Sequence, residues 1–157
     1  MATTYPVTRW TIGAVRVTRV VEIEGPSPGS FLFEAATPER LLRHAWLRPR
    51  FLTDDGRTIG AIQAFVVESG GRVILVDTCV GNDKPRTVKN WHMRQGRFLE
   101  DLREAGFARE AIDTVLCTHL HVDHVGWNTM LKDGRWVPTF PEARYLIGRA
   151  EWEHWSA

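Results

Sequence analysis

In the stretch "CTHLHVDHVGWN", Cys117 to Asn128, three imidazoles and one carboxylate fall within six consecutive positions, His119 to His124. In an extended segment, residues two apart project to the same side about 6.6 Å apart, so His119 and His121 can converge on one metal ion. Asp123 shares their parity and His124 does not. For His124 to join the others the backbone must bend at Val122 to Asp123, and Gly126 just beyond suits a tight turn into a helix. Such a bend aims Asp123 and His124 at a second position beside the first, where two metals can hold one hydroxide between them. Imidazole and carboxylate donors suit zinc, with iron and manganese compatible alternatives. The competing reading is three surface histidines in a polar loop. The spacing, at the end of an apolar run, favours the metal.

That run is "IDTVLCT", short and rich in β-branched residues, and it reads as a buried strand that delivers the histidines at its end. Upstream, "AIQAFVVES", "GG" and "RVILVDTC" read as an antiparallel hairpin with a two-residue turn. Between hairpin and histidines, "NWHMRQGRFLEDLREAG" carries Met93, Phe98, Leu102 and Ala105 near helical spacing and closes on glycine, predicting an amphipathic helix. Near the start, "WTIGAVRVTRVVEI" alternates apolar and polar residues as half-buried strands do, and "EGPSPGS" is expected to break the pattern. "PERLLRHAW" predicts a short helix with proline in its first turn. After the histidines come a polar turn "KDGR", a strand "ARYLIG" and a helix "RAEWEHW". Trp152 and Trp155, three apart on that helix, are expected to pack into the core, and Trp127 either lines a pocket or joins the core.

With 157 residues, 43% of them hydrophobic and 25% charged, the chain suits one soluble globular domain. A net charge of +1 with dispersed charges offers no basic face for nucleic acid. No apolar run is long enough to span a bilayer, and the opening residues lack a secretory signal, so a cytoplasmic location is expected. Cys79 and Cys117 are accordingly expected to remain reduced thiols, Cys117 as a buried strand-end residue and neither as a nucleophile.

"THLHVDH" resembles the His-Xaa-His-Xaa-Asp-His signature of the metallo-β-lactamase superfamily, and "VILVDTCVGN" resembles its earlier motif, in which an aspartate, here Asp77, supports the metal ligands. The resemblance covers roughly residues 10 to 155. It implies an α/β (α+β) fold, the first half of a four-layer αββα sandwich with a mixed sheet and flanking helices. It assigns His119 and His121 to a first metal, Asp123 and His124 to a second, and to Asp77 a hydrogen bond from a ligand imidazole or the loop backbone. The implied function is zinc-dependent hydrolysis of a small ester, lactone or amide by a metal-bound hydroxide, with Asp123 passing the proton to the leaving group. "HVGWN", "FPEARYLIG" and "RAEWEHW" are most similar to the lactonase and esterase branch.

The family's complete site requires a third histidine, a bridging aspartate and a last histidine, and His44, His92 and His154 do not fall at those places in the order. Residues 1–157 are therefore expected to be a single, apparently truncated domain without the second half, prone to self-association through an uncovered apolar sheet face. Two alternatives stand beside the hydrolase: an iron-dependent dioxygenase of the same superfamily, and an inactive fragment that binds metal weakly.

Overall fold

A computed structural model describes residues 5–157. Strands β1 (Thr8–Ile12) and β2 (Val15–Ser27) pair antiparallel, as do β3 (Thr58–Ser69) and β4 (Arg72–Val76). The second hairpin turns through Gly70 and Gly71, with φ of 56° and 74°, the pair of left-handed residues that a two-residue turn between right-twisted strands requires. β4 then pairs in parallel with β5 (Thr114–Cys117), and β5 in parallel with β8 (Arg144–Ile147). The resulting mixed sheet runs β1-β2-β3-β4-β5-β8. β6 (Thr129–Lys132) and β7 (Arg135–Pro138) form a separate hairpin around Asp133 and Gly134. Three short α-helices lie among the described residues: α1 (Pro38–Leu41), α2 (Phe98–Glu104) and α3 (Arg149–Trp155). This is the mixed α+β class expected.

The chain divides into two compact units, one of Ile23–Ala61 and one of the described residues up to Glu22 together with Ile62–Ala157. In the larger unit the two faces of the sheet differ. Ala64 and Val66 of β3, Leu75 of β4, and Val115 and Cys117 of β5 are buried against Phe98, Leu102, Phe107, Ile112, Trp127 and Phe140. α2 supplies Phe98 and Leu102 to that core, and Gly106, at φ 103°, ends it. The opposite face, set by the register Phe65↔Val76, Val76↔Leu116 and Leu116↔Leu146, is also apolar but only partly covered.

Several elements differ from expectation for identifiable reasons. The helix predicted over "NWHMRQGRFLEDLREAG" begins only at Phe98. The residues before it bond to the preceding loop: Met93 N–H donates to the Lys84 carbonyl (2.8 Å), Asp83 N–H to the Arg94 carbonyl (3.1 Å), and Gly96 N–H to Asn82 Oδ1 (2.7 Å). Met93, counted as part of the apolar stripe, is exposed with φ 47°. β2 does not stop before "EGPSPGS" but continues to Ser27, where the carbonyls of Pro26 and Ser27 accept bonds from Arg57 and Thr58. The polar turn "KDGR" is the tip of the β6-β7 hairpin. Trp152 and Trp155 are 59% and 53% exposed, because α3 lays them over the surface depression formed with Leu120, Val125 and Ile147 instead of the core.

Candidate metal loop and its supports

β4 ends at Val76, and the next residue, Asp77, turns into the left-handed region at φ 59°, a conformation that aspartate tolerates better than most residues. Its N–H donates to the Leu116 carbonyl (2.9 Å), so the turn remains tied to the end of β5. The carboxylate then faces the start of the histidine loop. Oδ1 accepts the Thr118 N–H (2.8 Å), both oxygens accept the Thr118 hydroxyl (3.0 and 2.8 Å), and Oδ2 accepts His124 Nδ1 (2.8 Å).

A carboxylate only accepts, so the proton of this last bond sits on His124 Nδ1, leaving Nε2 as the ring's free donor atom for a metal. The constraint extends through Thr118. Its hydroxyl gives its one proton to Asp77, so toward His119 Nδ1, 3.1 Å away, it can only accept. His119 thereby carries its proton on Nδ1 as well and presents Nε2. One carboxylate fixes the tautomers of two histidines, one directly and one through a hydroxyl.

The bend required between Val122 and Asp123 is present as a turn closed by His124 N–H on the His121 carbonyl (2.9 Å). It brings the ring of His124 to 4.0 Å from that of His119, between centroids, while His121 lies 4.7 Å from His119. Asp123 Oδ2 is 3.5 Å from His124 Nε2. The four sequence-predicted residues thus share one loop surface, with Asp77 beneath. Donor types and tautomers suit a divalent ion, but the set is open: among the described residues no group of three or more His, Cys, Asp or Glu side chains is arranged to hold a metal.

Three supports escaped sequence reasoning. Thr118 is one. Glu151 of α3 accepts the Leu120 N–H between the first two histidines (2.9 Å), a bond that, ahead of the nearby imidazoles, holds its carboxyl below the usual range. Glu22 of β2 is buried and binds the exits of both loops. No local signal marks Glu22: by parity it falls with Arg16, Thr18 and Glu24, the polar positions of the alternation, and only the fold buries that side of β2 at Thr18, Val20 and Glu22. Of the remaining candidates, Trp127 is a core residue, 4% exposed and stacked on Phe98 at 6.1 Å. Cys79 and Cys117 are free, buried thiols, each pushed up by burial. His44 and His92 lie outside the loop, and His154 contacts Trp155 on α3.

The model of the metallo-β-lactamase superfamily matches residues 57–156, more than half of the chain. The chain belongs to the metallo-β-lactamase superfamily. Members of this superfamily typically bind metal ions. No curated protein matches the chain. Among solved structures it is similar to the hydrolase AbOPH of the β-lactamase superfamily, at 25% identity and a TM-score of 0.72, over 99% of this chain and 48% of that one. It shares the fold of AidC, a dizinc quorum-quenching lactonase, at 23% identity and a TM-score of 0.71, over 95% and 47% of the two chains. It also shares the fold of a probable metal-dependent hydrolase from Staphylococcus aureus, at 19% identity and a TM-score of 0.70, over 94% and 51%. The chain therefore spans about half the length of the solved structures it matches. No helix among the described residues is long and apolar enough to cross a membrane.

Proposed function

We propose that this chain carries the metal loop of a zinc-dependent hydrolase acting on a small ester, lactone or amide. His119 and His121 would hold one ion and Asp123 and His124 a second. Zinc, when bound, supplies Lewis acidity and lowers the pKa of a water to about 7. The residues of the chain do the rest. In the neutral rings Asp77 directs the proton of His124 to Nδ1, which turns Nε2 to the metal, and through the Thr118 hydroxyl it does the same for His119. Asp123, on the same surface, would carry a proton to the leaving group.

The observation that supports this reading most is the Asp77 carboxylate committed to two histidines of one loop. A structural aspartate capping its turn would satisfy backbone donors alone. The likeness to AbOPH and AidC agrees with it.

The test uses the metal-free 157-residue chain, titrated with zinc in a calorimeter and assayed in the same samples with an aryl ester and an acylated homoserine lactone. Zinc binding that is lost in His119→Ala and His124→Ala, with hydrolysis that follows zinc and disappears in Asp123→Asn, is the expected result. Hydrolysis indifferent to zinc would refute it. The open donor set favours one second reading, weak metal binding without turnover. Under that reading zinc binds with no hydrolysis of either substrate.

A further inference from the structure

Glu22 is a buried carboxylate for which the proposed chemistry has no use. It is 4% exposed on β2, and its oxygens accept three donors: Val80 N–H at 2.8 Å, Gly81 N–H at 3.3 Å and the Trp127 indole N–H at 2.7 Å. Val80 and Gly81 follow Asp77 in the loop leaving β4, and Trp127 follows His124 in the loop leaving β5. One side chain therefore ties down both segments that face each other across the Asp77–His124 bond.

Those segments also touch directly. Gly126 N–H donates to the Cys79 carbonyl (2.7 Å), and a Cβ built on Gly126 would stand 1.9 Å from the backbone of Val80. Burial raises the Glu22 carboxyl, while its three donors and Arg94 pull the other way. Arg94 also donates to the Glu22 carbonyl (3.1 Å), which joins β2 to the loop before α2.

We propose that Glu22 is a positioning residue for the metal loop, setting the distance of His124 and His119 from Asp77 by holding Trp127 and the Val80–Gly81 backbone on one carboxylate. The geometry stands by itself, and the consequence for metal affinity rests on the proposed function. A purely stabilising role would lower the melting temperature and leave the histidines as they are. A positioning role changes the histidines.

The experiment records long-range nitrogen–proton spectra of the histidine rings in the metal-free full chain, above the pH at which imidazole is charged, alongside thermal unfolding. In the wild type His119 and His124 should carry their protons on Nδ1. Glu22→Gln replaces one acceptor with a donor that faces N–H groups, and Trp127→Phe removes the indole N–H while keeping a ring against Phe98. Both variants should introduce the Nε2–H form at His124 or His119. Val66→Ala, which takes apolar volume from the same core but no hydrogen-bonding group, should lower stability without altering the ring spectra.

If Glu22→Gln does not fold, Trp127→Phe decides. Unchanged histidine spectra in the folded variants overturn the proposal. Zinc titration separates the two claims, with both variants expected to lose roughly tenfold in affinity. A wild-type chain that binds no zinc defeats the proposed function, and the ring spectra then judge Glu22 alone.

Discussion

The gathering of His119, His121, Asp123 and His124 on one loop surface was legible from residue type, spacing and the bend that His124 requires, because these residues stand close together in the chain, and the place of Asp77 beside them from a motif. Thr118 and Glu151 were not. Their roles depend on bonds across 41 and 31 residues, which no local pattern encodes. Thr118 makes the sharper test. In Thr118→Val the shape is kept and the hydroxyl lost, so His119 should redistribute its proton between Nδ1 and Nε2 while His124 retains its form. Ring nitrogen chemical shifts report both. Asp77→Asn keeps the left-handed turn but presents an amide donor to Thr118 or His124. It should destabilise the chain by about 2 kcal/mol, read from urea unfolding, because the hydrogen bonds to a buried, charged acceptor are lost.

Among the elements, the β3-β4 hairpin was predictable because its apolar runs flank a Gly-Gly turn, and β5 because a short run of β-branched apolar residues has few alternatives. The helix before Phe98 was overpredicted because spacing cannot reveal that Asn82, Asp83 and Lys84 capture the backbone of residues 93–96. The close crossing of the two loops predicts that Gly126→Ala costs about 3 kcal/mol or more, since its Cβ would meet backbone that cannot rotate away. A folded yield indistinguishable from wild type would refute the crossing. Lys84 gives a prediction in pH. Its amine donates to the Thr129 carbonyl (2.7 Å) and lies 4.0 Å over the Trp136 ring, and burial, followed by Arg86, lowers its pKa from 10.5 to about 8. Between those values the unfolded chain holds more protons than the folded one, so stability rises with pH across the window. The contribution is complete above 10.5 and lost as pH falls through about 8. Urea midpoints on either side of the window should differ less in Lys84→Met than in the wild type.

At the scale of the molecule, sequence conveyed the class of fold but not which residues form the partly covered sheet face, because that depends on a register linking β3, β4, β5 and β8. Val76, Leu116 and Leu146 form a row on it, with Leu116 and Leu146 39% and 42% exposed. Such a face is expected to drive self-association, which sedimentation velocity would detect as a concentration-dependent shift that Leu116→Lys abolishes. Glu22 has a different consequence, one of time. Its indole partner lies 105 residues later in the chain, a separation that takes about 5 to 20 s to synthesise on the ribosome. Until Trp127 emerges, β2 carries a carboxylate whose buried place cannot yet be completed, so the N-terminal strands must wait, hydrated, for the loop that closes over them.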